Sequence, residues 1–207
     1  SGSSTGQAAG HRPMLSYRHG FHAGGPADVL KHAVLCFVLD YVLRKPHSAF
    51  AEAVQRIRTS LFLNGGERPT RSVLVTSSLP GEGKSLLCAA LARQSARSGL
   101  KTLLIDADMR RPRQHENFRC DNRDGLGDVL AGSANLADAV VHDEPSGLYL
   151  LVAGTPSHSP ADAFRSPAMR RLLDAATEAY DLVVIDSPPV GAVSDSFILG
   201  GLADRTV

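Results

Sequence analysis

The 207-residue chain has few of the residues that mark several common functions. It has no tryptophan, and aromatic residues make up 5% of it, so a surface that stacks nucleic-acid bases is not expected. Lys and Arg number 22 against 21 Asp and Glu, which gives a net charge of +1. A chain with this balance has no general attraction to nucleic acid or to an anionic membrane. We therefore predict no nucleic-acid partner.

The chain is also poor in cysteine and in long apolar runs. Its three cysteines, Cys36, Cys88 and Cys120, form no CxxC pair, as is typical of free thiols in a reducing compartment. The most apolar stretch, "AVLCFVL" at 33–39, falls well short of the about 20 residues that a membrane span needs. No signal-peptide pattern is visible. We predict a cytoplasmic protein, or the cytoplasmic part of a larger one.

The pattern divides the chain into three parts. Residues 1–13 are small and polar, as in a tag or disordered arm, and residues 14–46 contain a predicted amphipathic helix at about 27–44. Residues 47–207 begin with a second predicted helix at about 48–63 and then alternate apolar strands with helices. The predicted strands are "SVLVTSS", "KTLLIDAD", "GLYLLVAG" and "DLVVIDSPP".

This alternation predicts the α/β class, with a parallel sheet flanked by helices on both faces and a helical N-terminal appendage. One helix, "SLLCAALARQSARSG", is expected to stop at Gly99, and another has Ser166 as its N-cap and Pro167 in its first turn. The last residues, "LADRTV", read as the start of a further strand. We therefore expect the domain to be truncated at this end.

The stretch "TSSLPGEGKSLL", Thr76–Leu87, has the order strand, glycine turn, Lys-Ser and helix that a phosphate-binding loop requires. Gly81 and Gly83 let the backbone approach phosphates, Lys84 can reach the β- and γ-phosphates, and the Ser85 hydroxyl can bind Mg²⁺. Ser78 replaces the usual first glycine but is small enough to keep the turn. The predicted nucleotide-binding residues are Pro80, Gly81, Glu82, Gly83, Lys84, Ser85 and Leu86. The predicted cofactors are ATP and Mg²⁺.

Three aspartates follow predicted strands. Asp106 and Asp108 end "LLIDAD", and Asp186 ends "LVVID". In a parallel sheet these side chains would meet at the edge where ligands bind, and Mg²⁺ prefers such oxygen ligands. A Mg²⁺ ion held by Ser85 would therefore find its carboxylate ligands among these three aspartates.

Position 79 separates two kinds of nucleotide-binding protein. The MinD/ParA type of P-loop NTPase carries a further lysine five residues before the loop lysine, where this chain has Leu79. A member of that superfamily without this lysine needs another source of positive charge in the transition state, for example an arginine.

From about Ser48 onward the chain resembles the bacterial tyrosine kinases that accompany capsule and exopolysaccharide export. The match rests on "FAEAVQRIRTSL", "VTSSLPGEGKSLLCAALA", "LLIDADMRRPRQHENF", "GLGDVLAG" and "PADAFRSPAMRRLLDAATEAYDLVVIDSPPVGAVSD". The resemblance implies autophosphorylating phosphoryl transfer from Mg-ATP to protein tyrosines, and a membrane adaptor of polysaccharide export as partner at the inner face of the plasma membrane. It implies Lys84, Asp106 and Asp108 as catalytic residues, with Asp106 as the base, and it implies Ser85, Asp108 and Asp186 as the metal site. Arg110 and Arg111 could steady phosphate or an acidic tail, or form a solvated basic turn.

The chain departs from the family pattern in three ways. The ring-forming helix motif Glu-x-x-Arg-x-x-Arg is met at Glu52 and Arg58, but Gln55 replaces its first arginine, which weakens the expected self-association. The four tyrosines are not clustered near the end of the sequence. The family's kinase domain often follows a membrane adaptor with two spanning helices, and residues 1–47 do not have the apolar runs expected of such spans.

The front of the chain resembles a different family. "MLSYRHGFHAGGPADVLKH", within residues 14–45, is similar to the start of the adenine methyltransferases that modify large-subunit ribosomal RNA. The methyl-donor loop of that family does not follow, so the segment is interpreted as a fused helical piece. His19, His22 and His32 match no standard metal spacing. The alternatives to a kinase are a MinD/ParA-like ATPase switch, an inactive scaffold, or a fragment of such a methyltransferase.

Overall fold

The computed structural model describes residues 48–63 and 69–207. The arm at 1–13, the appendage at 14–46 with its predicted helix, and the three histidines lie outside the described residues. The strands are β1 Ser72–Val75, β2 Thr102–Asp106, β3 Val141–Asp143, β4 Leu148–Leu151, β5 Leu182–Asp186 and β6 Arg205–Thr206. The helices are α1 Ala49–Leu63, α2 Lys84–Arg97, α3 Gln114–Phe118, α4 Leu126–Ala131, α5 Leu136–Ala139, α6 Pro160–Arg165, α7 Pro167–Ala179 and α8 Asp195–Gly200.

The strands form one sheet in the order β3-β4-β2-β5-β1-β6. All neighbouring pairs are parallel except β3 and β4, which are antiparallel. The four predicted strands, which correspond to β1, β2, β4 and β5, are parallel as expected, and the antiparallel edge strand β3 is an addition that was not predicted. The reason for its antiparallel pairing is a tight turn in which the N–H of Gly147, at φ 74°, donates to the carbonyl of Asp143 over 2.8 Å. Two antiparallel strands need only such a turn, whereas parallel strands need a long crossover.

The central strands are buried on both faces, as the sequence predicted. Leu103 and Ile105 of β2 pack on one face with side chains of α4, α6, α7 and α8. Leu104 packs on the other face with side chains of α1 and α2. Continuous apolar strands are stable here because helices cover both sides of the sheet. The predicted α/β class with helices on both faces is confirmed.

Local signals in the sequence place two of the helices. Helix α7 begins after Ser166, whose hydroxyl oxygen accepts a hydrogen bond from the N–H of Met169 over 3.3 Å, and Pro167 occupies its first turn. Helix α2 ends at Arg97, and Gly99 follows in a left-handed conformation at φ 95°. No helix of the described part of the chain has the length and apolarity that crossing a membrane requires.

The topology determines where the site lies. β2 and β5 are parallel neighbours, and their last residues, Asp106 and Asp186, are paired in register. β1 lies on the other side of β5 and leads into the glycine loop before α2. The loop and the ends of β2 and β5 therefore meet at one edge of the sheet.

Candidate active site in the cleft at the sheet edge

The glycine loop has a conformation that depends on two of its glycines. Gly81 has φ 85° and Gly83 has φ 91°, a region that other residues rarely adopt. A Cβ atom at either position would meet nothing within 4 Å, so glycine is required by the backbone conformation and not by space. The carboxylate of Glu82 accepts a hydrogen bond from the N–H of Leu79 over 2.9 Å. This contact turns Glu82 back into the loop.

A neighbouring segment supports the start of the loop. The N–H groups of Val190 and Gly191 donate to the carbonyls of Ser77 and Ser78 over 2.8 and 3.2 Å. A Cβ atom at Gly191 would lie 2.5 Å from the Ser78 carbonyl oxygen, so the two segments approach closely only because position 191 is glycine. The segment after β5 thus fixes the entry to the loop.

Lys84 begins α2 and joins the loop to two of the aspartates. Its Nζ atom lies 3.2 Å from Asp108 Oδ2, 3.8 Å from Asp186 Oδ1 and 3.3 Å from Ser85 Oγ. Burial by itself would lower the pKa of Lys84, but the nearby charges of Asp186 and Asp108 outweigh it and raise that pKa. The side chain is therefore a firmly charged ammonium group in a partly buried site.

Asp106 and Asp186 are both fully buried. Asp106 Oδ2 accepts hydrogen bonds from the N–H groups of Arg113 and Gln114 over 3.0 and 2.9 Å, and its Oδ1 accepts from the N–H of Asp108 over 3.3 Å. Burial and, second, the charge of Asp186 raise the pKa of Asp106 to about 8 against the opposing effect of the backbone bonds. Burial also raises the pKa of Asp186, although Lys84, Ser85 and Gln114 oppose it.

An open cleft of about 730 Å³ lies above these groups. It is lined by the predicted residues Pro80, Gly81, Gly83, Lys84, Ser85, Leu86 and Asp108. Of the other predicted residues, Glu82, Asp106 and Asp186 do not line it, and the last two are fully buried. The lining also includes Arg110, Arg111, Arg113 and the prolines Pro188 and Pro189. The structure thus brings the loop lysine and all three aspartates to one place.

One residue of this site escaped the sequence analysis. Gln114, the first residue of α3, is fully buried, and its amide donates to Asp186 Oδ2 over 2.7 Å and to the Ser85 carbonyl over 3.0 Å. Glutamine is usually an exposed residue, and nothing in "RRPRQHENF" distinguishes it from the polar residues around it. Only the fold reveals its contacts.

Comparison with known proteins identifies the family. Residues 71–199 match the AAA domain family model. The chain is 39% identical over 165 residues to the tyrosine-protein kinase YwqD of Bacillus subtilis, covering 80% of this chain and 70% of that protein. It is 36% identical over 155 residues to the tyrosine-protein kinase Etk of Escherichia coli K12, covering 75% of this chain but 21% of that protein.

The chain belongs to the bacterial tyrosine kinase family. Two solved kinase domains of this family share its fold. The kinase domain of Escherichia coli ETK has a TM-score of 0.77 and 33% identity, with 80% of this chain and 65% of that chain covered. The BceF tyrosine kinase domain has a TM-score of 0.71 and 31% identity, with 85% and 74% covered.

A more distant likeness extends to the MinD fold. The septum site-determining protein MinD of Pyrococcus horikoshii, solved with Mg-ADP, has a TM-score of 0.56 and 24% identity, with 66% of this chain and 56% of that chain covered. This likeness concerns the fold alone and confirms the predicted MinD/ParA-like architecture. The resemblance of residues 14–45 to ribosomal RNA methyltransferases is not supported by these matches.

Proposed function

We propose that this bacterial tyrosine kinase domain binds Mg-ATP in the cleft and transfers the γ-phosphoryl group to tyrosine hydroxyls of a protein. The observation that carries the proposal is the position of Lys84, whose ammonium group lies at the start of α2 between Asp108 and Asp186. The glycine loop ends beside it, so loop N–H groups, a helix N-terminus and a cation face one volume. This is the combination that binds a triphosphate.

Different groups of the loop are proposed to contact different parts of the nucleotide. The backbone N–H groups from Gly81 to Ser85 can donate to the phosphates, whereas Pro80 has no N–H and contributes only to the shape of the loop. Gly81 and Gly83 allow the necessary close approach. Lys84 is proposed to move from its carboxylate partners to the β- and γ-phosphates when ATP binds. Its raised pKa keeps it charged at neutral pH. Phosphoryl transfer depends mainly on such positioning and charge neutralisation.

The donor set fits Mg²⁺. Asp186 Oδ1 is buried and has no hydrogen-bond partner of standard geometry within the described residues, and the Ser85 hydroxyl and Asp108 are its neighbours around Lys84. The described residues contain no group of three or more His, Cys, Asp or Glu side chains able to hold a metal by themselves. That suits Mg²⁺, which is usually bound by one or two carboxylates together with substrate phosphates. When bound, it neutralises charge on the phosphate oxygens.

The acceptor side of the reaction requires a base. Asp106 is the proposed base. In this conformation it is buried, and its oxygens accept hydrogen bonds from three backbone N–H groups. A tyrosine hydroxyl can reach it only if the segment 107–114 shifts when substrates bind. Asp106→Asn should then keep Mg-ATP binding and lose phosphoryl transfer, whereas Asp108→Asn should lose both.

The experiment that tests the function is phosphotyrosine detection after incubation with Mg-ATP and a tyrosine-bearing tail peptide. The matched control is the same peptide with phenylalanine in place of tyrosine. We expect a signal with the first peptide that Lys84→Met abolishes. No signal, together with phosphate release that rises on addition of a partner protein, would instead identify an ATPase switch of the MinD/ParA type.

The biological setting is proposed from the family resemblance. We propose that the kinase regulates capsule or exopolysaccharide synthesis and export, and that a membrane adaptor is its partner and holds it at the inner face of the plasma membrane. The chain spans about a fifth of the length of relatives such as Etk, so the activity and partners of those longer proteins remain proposals for it.

A further inference from the structure

Gln114 is an uncharged side chain placed among the charged groups of the site. It follows the arginine-rich segment after β2 and has no exposed surface. A buried primary amide has two N–H donors and a carbonyl acceptor to satisfy, and an unsatisfied one destabilises the protein. Its partners therefore show what position 114 does.

The partners leave no freedom in the orientation of the amide. Nε2 faces two acceptors, Asp186 Oδ2 at 2.7 Å and the Ser85 carbonyl oxygen at 3.0 Å. Oε1 accepts a hydrogen bond from Asn117 Nδ2 over 3.2 Å. If nitrogen and oxygen were exchanged, the oxygen would face a carboxylate and a carbonyl, which repel it. Every hydrogen-bonding group of the amide is thus used.

These bonds connect the three parts of the site. The side chain joins β5, through Asp186, to the first turn of α2, through Ser85. The backbone N–H of Gln114 donates to Asp106 Oδ2 over 2.9 Å and adds the end of β2. The result for Asp186 is asymmetric, because Oδ2 is bonded to the amide while Oδ1 lies 3.8 Å from Lys84 Nζ. A carboxylate held by one oxygen presents the other in a fixed direction.

We propose that Gln114 is a positioning residue that orients Asp186 and the Ser85 turn toward a common Mg²⁺ ion. This inference rests on the proposed function, in which Ser85 and Asp186 support the metal. Partners that hold metal-supporting carboxylates typically change metal affinity by about 10- to 100-fold when they are removed. Gln114 itself touches neither nucleotide nor metal in this role.

The test measures Mg²⁺ binding separately from catalysis. A fluorescent ADP analogue is titrated onto the full chain at a series of Mg²⁺ concentrations and, separately, in excess chelator. Gln114→Met keeps the length of the side chain and removes the amide. We expect the Mg²⁺ concentration at half-maximal effect to rise about 10-fold or more, while the affinity for the analogue in chelator stays within about twofold.

The matched control is Gln94→Met. Gln94 is a half-buried glutamine of α2 whose amide donates to the Ala51 carbonyl over 3.0 Å, on the side of the helix that meets α1. It has no bond to the site, so its replacement should leave the Mg²⁺ dependence unchanged even if it lowers the unfolding temperature. Gln114→Asn serves where the methionine variant does not fold, because its shorter side chain cannot maintain the 2.7 Å contact with Asp186.

The outcomes distinguish failure of the positioning role of Gln114 from failure of the proposed function. An unchanged Mg²⁺ dependence in a folded Gln114 variant overturns the positioning role while the proposed function stands. An equal loss of affinity with and without Mg²⁺ also overturns it, because the residue would then support only the shape of the loop. If the unaltered chain shows no Mg²⁺-dependent binding of the analogue, the proposed function fails and this inference with it.

Discussion

The site depends on Lys84, because its ammonium group contacts two carboxylates in this structure and is proposed to bind the phosphates of ATP. Without nucleotide it lies 3.2 Å from Asp108 and 3.8 Å from Asp186. Both carboxylates are almost entirely buried, and buried charges require a partner. In the proposed complex the same cation would bind phosphates, and Asp108 and Asp186 would hold Mg²⁺, whose charge would then balance theirs. Binding of nucleotide and of metal should therefore depend on each other.

We predict that Lys84→Met weakens Mg-ATP binding by about 100-fold, the loss expected for charge-assisted hydrogen bonds to phosphate. Calorimetric titration measures the change. The control is Lys101→Met, which removes the same charge at the other end of the sheet, where Lys101 lies over the rings of Tyr149 and Tyr180. Unchanged ATP affinity in Lys84→Met would show that the glycine loop is not the nucleotide site.

The neighbouring arginines Arg110 and Arg111 both line the cleft but differ in their bonds. Arg110 Nε lies 2.9 Å from the buried carboxylate of Asp195. Within the described part of the chain, the side chain of Arg111 makes no such ion pair or hydrogen bond. Arg111 is therefore our candidate for the arginine that supplies positive charge in the transition state, since position 79 is leucine and not lysine. We predict that Arg111→Ala lowers the rate of phosphoryl transfer by about 10-fold or more with little change in stability.

Arg110→Ala should mainly lower the stability of the fold, with little effect on the rate of phosphoryl transfer. It leaves Asp195 without its partner, and we expect the free energy of unfolding to fall by about 1 kcal/mol, a modest value because the arginine side chain is 45% exposed. Urea denaturation and phosphotransfer kinetics on both variants separate the two effects. Equal rates in Arg111→Ala and the unaltered chain would remove Arg111 from the mechanism.

At the scale of elements, a single carboxylate fastens the start of β1 to the turn before β6. Asp204 Oδ2 accepts hydrogen bonds from the N–H groups of Arg71 and Ser72 over 2.9 and 2.8 Å, and from the Ser72 hydroxyl over 3.0 Å. Burial opposes ionisation, but these bonds outweigh it and lower the pKa of Asp204. A group whose pKa is lower in the folded state stabilises the fold above its unfolded pKa.

We therefore predict that Asp204→Asn lowers the free energy of unfolding by about 1 kcal/mol at pH 7, less than the sum of its bonds because the residue is exposed. The difference from the unaltered chain should be full above about 3.9, the ordinary pKa of the unfolded side chain, and should be lost as the pH falls further through the lower pKa of the folded side chain. Urea denaturation across this pH range provides the measurement. Asp174→Asn, on the exposed side of α7, is the control and should have little effect at either pH.

The elements that could be predicted from the sequence are those with strong local signals. β2 and β5 are continuous apolar runs, and the Ser166–Pro167 pair marks the start of α7. Strand β3 could not be predicted, because "VHD" has no apolar pattern and is largely exposed; its pairing depends on the turn at Gly147. The loop lysine and the aspartates followed from a motif, whereas the role of Gln114 depends on contacts 29 and 72 residues away in the sequence.

At the scale of the whole molecule, the parallel sheet separates the proposed active site from the described tyrosines. Asp106 and Asp186 end their strands at the cleft, whereas Tyr149 lies near the start of β4 and Tyr180 just before β5. The strand from Leu182 to Asp186 alone extends roughly 13 Å at 3.3 Å per residue. The two tyrosines are also in contact with each other, with ring centroids 5.3 Å apart.

Contacts within one chain also bear on self-association. Arg58, which matches the ring-forming motif, donates a hydrogen bond to the hydroxyl of Ser98, just beyond α2 of the same chain. To contact a second copy it would have to give up this bond, and Gln55 supplies no additional charge. Weakened self-association stays a prediction, under which encounters between copies would be transient and would depend on protein concentration.

We therefore predict that any phosphate on Tyr149 or Tyr180 comes from another copy of the chain. A reacting hydroxyl must come within about 3.5 Å of the phosphorus atom, and the sheet holds both tyrosines too far from the cleft of their own chain. When the unaltered chain is mixed with Lys84→Met, site-resolved mass spectrometry should find phosphate on these tyrosines of the inactive copy. The initial rate per molecule should rise in proportion to the concentration of active chain; a rate that is independent of dilution would mean that the chain phosphorylates itself.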